Sequence, residues 1–263
     1  MMETTIGEWY GVALRLFICL MTAHFLGDFI LQTDYDASNK RKFLVLVKHA
    51  GIVAVLSYVL CGVWSRWEIP AVVFLTHALA DFLKAKFAKK PVRSFLIDQA
   101  AHLAIIGGIA VLIPRTGASA SYWDFLLGAT YFRILVLVTG TTVAVSVGAI
   151  LIGLAVEPLQ RKLEPKPLKV EDKSDQALAG RLGFEHGGRL IGQLERALIL
   201  LFVLVGEPAA IGFLIAAKSV LRFGEVKEPR NRMEAEYIII GTLASFLFGL
   251  LVAYPIRYLL SLL

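Results

Sequence analysis

Seven ionisable side chains within the first 102 residues stand at spacings suited to holding a metal ion. Ala23-His24-Phe25-Leu26-Gly27-Asp28-Phe29 recurs 53 positions later as Thr76-His77-Ala78-Leu79-Ala80-Asp81-Phe82, and the 21 positions from Asp28 to His49 match those from Asp81 to His102. Residues four apart lie on one face of a helix, one turn from each other, so each His-x-x-x-Asp aims an imidazole and a carboxylate in one direction. Asp98 adds a second such pair with His102, where the first copy has Val45. Imidazole and carboxylate together suit Zn, Mn or Fe, and paired ligands on facing helices are how bundle proteins build dinuclear centres. His24, Asp28, His49, His77, Asp81, Asp98 and His102 are therefore expected to hold one or two divalent ions, some of them acting as partners of the ligands. Asp98, with no counterpart in the first copy, is the expected general base. The same residues also fit satisfied core His-Asp pairs, a proton relay, or two haems held axially by four histidines. The carboxylates one turn away argue against haem, because they suit a hard cation better than an apolar macrocycle.

The elements that position these groups are set by composition. Of 263 residues, 57 % are hydrophobic and 18 % charged, and mean hydropathy is +0.69, against about 45–50 % and 25 % in soluble domains. The apolar residues cluster into runs long enough to cross about 30 Å of hydrocarbon. An all-α polytopic membrane bundle follows, which excludes a soluble enzyme domain, a disordered chain and a disulfide-stapled module; Cys19 and Cys61 both lie in apolar runs. Eight spans are expected, near 8–31, 45–64, 70–86, 95–113, 130–156, 189–206, 208–221 and 235–255, with 208–221 the shortest. They divide the chain into a five-span part (1–157), a charged, proline-containing linker (158–187) and a three-span part (188–263). His186 falls in the polar, glycine-containing end of that linker and is expected to face solvent. Glu3 and Glu8, in place of a basic segment ahead of the first long span, argue against a cleaved signal peptide.

The net charge of +6 becomes an orientation once it is sorted by connection, and no nucleic-acid partner is needed to explain it. The first connection carries Lys40, Arg41, Lys42 and Lys48, the third Lys84, Lys86, Lys89, Lys90 and Arg93, and the fifth a series from Arg161 to Arg189. The seventh carries Arg222, Lys227, Arg230 and Arg232, whereas the opposite side has only Arg66, Arg115, Arg133 and Arg257. Cytoplasmic loops hold the excess of Lys and Arg, so both termini are expected outside an inner membrane. Trp9, Trp64, Trp67 and Trp123 all fall at the outer ends, as an interfacial belt would. At about 1.5 Å per residue, His24, His77 and His102 lie roughly 10 Å inside the basic ends of their helices, with His49 shallower. Each central charge costs roughly 2.5–3.5 kcal/mol to insert, so a compensating ion is the simplest reason to keep them there.

The second part repeats the theme of charge inside apolar helices. Arg189, Glu195, Arg196, Lys218 and Arg222 are expected at the same depth as the His/Asp layer, where part of the cluster would orient an anionic group such as a phosphate. The competing reading pairs Glu195 and Glu234 with Arg196 and Lys218, and lets Arg189 and Arg222 reach lipid headgroups.

The stretches His24 to Gln32, His49, Thr76-His77 to Asp81 and Leu96-Ile97-Asp98-Gln99-Ala100-Ala101-His102, with the blocks Gly188 to Arg196 and Ile211 to Arg222, resemble a bacterial family, domain of unknown function 3307. The resemblance covers about 22–113 and 188–250; it implies a multi-spanning membrane protein and brings no activity with it. The His-x-x-x-Asp hairpins are more distantly similar to membrane-bound metal-dependent hydrolases. Together these readings lead to the expectation of a metal-dependent hydrolase at the cytoplasmic face, acting on a lipid or amphiphilic phosphoester. A transporter or ion-coupled permease using the layer as a cation or proton site, and a scaffold with a structural ion, are the alternatives.

Overall fold

The computed structural model describes residues 2–87, 91–116, 121–163, 187–222 and 232–263, and all regular structure among them is helical. Helix α1 (Met2–Leu26) ends in a wide π turn (Gly27–Leu31), and α2 (Asp34–Ser38) is a short helix in the loop that follows. Then come α3 (Phe43–Cys61), α4 (Glu68–Phe87), α5 (Pro91–Leu112), α6 (Tyr122–Leu127) and α7 (Ala129–Thr142). A second π turn (Val143–Val147) joins α7 to α8 (Gly148–Leu163), and α9 (Gly187–Leu204), α10 (Ala209–Arg222) and α11 (Arg232–Ser261) complete the described chain.

Five of these stretches are long and apolar enough to cross a bilayer: Trp9–Leu31, Phe43–Cys61, Pro91–Leu112, Ala129–Arg161 and Glu236–Ser261. The protein is a helical membrane bundle. The expected spans 70–86, 189–206 and 208–221 are helical but fall short of that measure. Helix α4 carries Glu68, Asp81, Lys84 and Lys86, α9 carries Arg189, Glu195 and Arg196, and α10 has only 14 residues. Helix α8 continues through Pro158 to Leu163, into the expected linker, with Arg161 reaching back 2.5 Å to Glu157 one turn earlier. The remainder of that linker, including His186, lies outside the described residues.

The helices sort into two units, Met1–Val143 with Tyr258–Leu263, and Ala144–Arg257. The divide falls at the π turn after α7, whereas the sequence suggested a boundary near 157. In the first unit α1 packs against α3, α5 and α7, α3 packs against α4, and α4 against α5. Helices α1, α3, α4 and α5 thus close a ring, and both copies of the repeated hairpin contribute two of its walls. Helix α4 shows why hydropathy underrates it. Its buried positions are Ile69, Val73, His77 and Asp81, one four-residue row whose polar half is turned into the ring and whose apolar Leu75, Leu79 and Phe82 face outward.

Two glycines set the geometry of this ring. A Cβ on Gly27 would lie 2.6 Å from Cγ2 of Val53, so α1 and α3 approach closely where Asp28 and His49 meet, as small residues allow. Gly62 takes φ +60° to end α3, a conformation that costs other residues strain. There the last three carbonyls of α3 and that of Gly62 are all satisfied: Val59 accepts from Trp123 Nε1 at 2.6 Å, Leu60 from the Tyr131 hydroxyl at 2.7 Å, Cys61 from Ser121 Oγ at 2.7 Å, and Gly62 from the Tyr122 amide at 2.8 Å. Arg15, which lies inside the first span, is paired with Asp124 of α6 and stands over the Phe132 ring.

Gly27→Ala should therefore destabilise the protein by about 1–3 kcal/mol through overpacking. Adding Val53→Ala should recover more than half of that loss. Thermal unfolding in detergent measures both, and a Gly27→Ala defect untouched by Val53→Ala would exclude the close contact as its cause.

Candidate metal centre

The four helices of the ring each bring one histidine to a common layer. His24 comes from α1, His49 from α3, His77 from α4 and His102 from α5, and none is more than 4 % exposed. Their rings form a continuous series, with centroids 4.7 Å apart for His24 and His102, 4.5 Å for His102 and His77, and 5.1 Å for His77 and His49. Asp81 and Asp98 are buried beside them, and the Asp28 side chain is 6 % exposed. All seven expected ligands are brought together. They form three overlapping groups: Asp28, His49 and His77; His24, His77 and His102; and Asp81, Asp98 and His102.

The first group is the tightest. His77 Nε2 lies 3.1 Å from His49 Nε2 and 3.3 Å from Asp28 Oδ1, and His49 Nε2 lies 3.2 Å from the same oxygen. Four ligands at 2.0–2.1 Å from a tetrahedral ion are separated from one another by about 3.3–3.4 Å. These three atoms thus have nearly the dimensions of one tetrahedral face. Asp81 Oδ2 flanks the same two nitrogens at 3.5 and 3.6 Å.

In the second and third groups, hydrogen bonds prepare lone pairs. His102 donates from Nδ1 to the Asp98 carbonyl one turn back, at 2.9 Å, leaving Nε2 as the lone-pair atom. Gln99 accepts from His24 Nε2 at 3.2 Å and donates to Asp98 Oδ2 at 3.1 Å, which leaves His24 Nδ1 as the acceptor. A second hydrogen bond that fixes the tautomer is what metal-ligating histidines characteristically have. His24 Nδ1, His102 Nε2 and Asp98 Oδ1 are buried and have no hydrogen-bond partner. Buried polar atoms left this way in a native structure point to an ion or a water, so the donor set fits a cation.

Charge is balanced unevenly among the three carboxylates. Lys40 donates to both oxygens of Asp81 at 2.7 Å, and Lys84 donates to Asp98 Oδ2 at 2.7 Å. Among the described residues no lysine or arginine pairs with Asp28; its partners are imidazoles. Lys40 is held by the loop after the π turn, where Thr33 caps α2 and Lys48 grips Asp36 at 2.8 and 2.9 Å. The Lys48 ammonium and the Thr33 hydroxyl hold the Asp36 carboxyl below its usual range. This anchorage is complete above the ordinary carboxylate pKa and is lost as pH falls through the lowered value. Lys40, Lys84 and Gln99 are the site residues that the sequence reading missed. Both lysines count as loop charge in any positive-inside tally, and only the position of Gln99 next to Asp98 hinted at its part.

The expected anion-binding residues lie in the second unit. Lys218 pairs with Glu195 at 2.6 Å. Arg196, 2 % exposed, donates to the Ala144 carbonyl at 2.6 Å, the Val145 carbonyl at 3.2 Å and Ser245 Oγ at 2.7 Å. Its guanidinium meets the carbonyls of the second π turn, and a Cβ on Gly148 would lie 2.6 Å from its Nε. Arg189 is exposed, and the Arg222 side chain lies outside the described residues.

Lys40→Met should leave the fully buried Asp81 without its cation, at a cost of about 3–5 kcal/mol. Lys40→Met combined with Asp81→Asn should recover most of it. Thermal unfolding reads the cycle, and a double variant as unstable as the single one would overturn the pairing.

No curated protein and no solved structure matches the chain. Residues 16–127 match the family described as "Protein of unknown function (DUF3307)", so the segment that carries all seven histidines and aspartates of the centre is the segment matched to that family.

Proposed function

We propose that this chain is a metal-dependent hydrolase of a bacterial inner membrane, acting at the cytoplasmic face on an amphiphilic phosphoester. The observation that carries the reading is the Asp28 carboxylate, buried with no lysine or arginine paired to it among the described residues and converged with two imidazole nitrogens at 3.1–3.3 Å. The family resemblance adds a membrane setting, and the more distant likeness to membrane-bound hydrolases adds a reaction class. The positive-inside pattern supplies the cytoplasmic side, with both termini outside.

A Zn, Mn or Fe ion in this donor set supplies Lewis-acid activation of a water at neutral pH. Asp28, His49 and His77 are the residues that would hold it, with a second position between His24, His77 and His102. The chain's own groups account for the rest. Asp98 Oδ1, buried and without a hydrogen-bond partner, takes the proton as water oxygen bonds to phosphorus and the ester P–O bond breaks, and returns it to the departing alcohol oxygen. Lys84, bound to the other oxygen of Asp98, keeps that carboxyl oriented and brings positive charge to the phosphoryl oxygens. Lys40 does the same from Asp81. The ring of packed helices limits water around them, which strengthens each of these interactions.

Elemental analysis of purified protein should find one or two equivalents of ion, lost in the double variant His24→Ala, His77→Ala. With phosphatidic acid in mixed micelles as the probe, phosphate release should stop on chelation. Asp98→Asn should lower kcat about 10²- to 10⁴-fold with metal retained. Stoichiometric ion in the double variant would overturn the site; metal-dependent uptake into proteoliposomes without turnover would replace hydrolysis with transport.

A further inference from the structure

We infer that the outer face of the α4–α5 pair is a seat for one acyl chain of an anionic amphiphile, delivering its headgroup to Asp98 and Lys84; this substrate assignment rests on the hydrolase reading above. A groove of about 600 Å³ runs between the two helices, within the roughly 300–1,000 Å³ range of small-molecule sites. Its α4 wall is the row Leu79, Leu83 and Phe87, and its α5 wall the row Ile97, Ala101 and Ile105. Both rows step by four residues, so each forms one continuous apolar stripe. From Lys84 back to Thr76 the α4 wall measures roughly 12 Å at about 1.5 Å per residue, enough to hold the headgroup-proximal part of an extended hydrocarbon chain.

Two features separate this groove from ordinary lipid-facing surface. Lys84 and Asp98, themselves paired at 2.7 Å, line it. Asp98 also belongs to the group with Asp81 and His102, so the groove opens on the candidate centre. Asp98 Oδ2 accepts from both Lys84 and Gln99, while Oδ1, buried, has no hydrogen-bond partner and lies 3.5 Å from His102 Nδ1. A ligand with a donor for Oδ1 and an anion for Lys84 would complete the arrangement. Lys86 and Arg93 add positive charge at the same end of the two helices, complementary to an anionic head and unsuited to a neutral one.

The test uses full-length protein in mixed micelles with a phosphatidic acid carrying a diazirine in its acyl chain. Photolabelling should concentrate on peptides of α4 and α5. Unlabelled long-chain phosphatidic acid should compete, whereas inorganic phosphate, the dibutyryl analogue and phosphatidylcholine should not. Ala80→Trp and Ala101→Trp, which fill the groove from either wall, should each lower capture at least tenfold without changing the melting temperature by more than a few degrees. Labelling spread over all apolar helix faces, or equal competition by phosphatidylcholine, would show bulk lipid only and overturn the seat. Competition by inorganic phosphate alone would show an anion site without a chain and also overturn it. Because capture is read without turnover, focused labelling with no phosphate release would uphold the seat and sink hydrolysis. Phosphate release without focused labelling would do the reverse.

Discussion

Three carboxylates are buried in one layer of a four-helix ring, and the rest of the first unit follows from the need to neutralise them. An isolated carboxylate in such an environment would take up a proton or be driven to the surface. Here two of the three have an ammonium within 2.7 Å, and the third is surrounded by imidazoles. Each solution demands structure elsewhere. Lys40 reaches Asp81 because the loop before α3 is capped by Thr33, locked by the Lys48–Asp36 pair and tied to α4 by Arg41, which donates to the Ala85 carbonyl at 3.1 Å. Asp28 meets His49 because Gly27 lets α1 approach Val53, one turn along α3 from that histidine.

The duplicated hairpin explains why the layer has near symmetry, and its departures from symmetry show where the two copies part. His24 and His77 are equivalent, as are His49 and His102, and in the ring each copy faces the other. Yet Asp28 sits in a π turn while Asp81 lies in regular helix. π turns inside helices are frequent at functional sites; here the turn sets Asp28 against His49 and His77. On the other side the second copy gained Asp98 and, through Lys40 and Lys84, a pair of ammonium groups. One copy therefore offers a bare carboxylate with convergent nitrogens, and the other offers carboxylates already coupled to cations.

Much of this was legible in the residues. The His-x-x-x-Asp repeat and the matched spacing to the next histidine placed six of the groups in one layer, and the Asp98–His102 spacing added the seventh, because helical periodicity and span depth are local properties. The partners were less legible because they depend on how elements meet. Lys40 lies in a connection that any charge tally assigns to solvent, yet it is 8 % exposed. Arg15 is a charge inside the first span whose partner, Asp124, comes from α6. Helix α4 reads as a weak span since a hydropathy average cannot tell that His77 and Asp81 point inward while Leu79 and Phe82 point out. Arg196 carries the same lesson. Its charge suggests an anion site, whereas its three hydrogen bonds go to backbone carbonyls and a serine within the second unit.

The division of labour within the layer also bears on which carboxylate can move a proton. A carboxylate that holds an ion has its charge spent on that ion, and one clasped on both oxygens by an ammonium, as Asp81 is, has little room to accept anything further. Asp98 differs from both. Its Oδ2 is fixed by Lys84 and Gln99, so the group cannot rotate freely, while Oδ1 is held in place and accepts no hydrogen bond. Catalytic bases need this combination of fixed orientation and an unspent acceptor, with geometry ahead of any question of pKa. Asp98 is also the one carboxylate of the three that lines the α4–α5 groove. In the proposed reading, the residue that broke the symmetry of the repeat is thus the one that meets a molecule arriving from the bilayer.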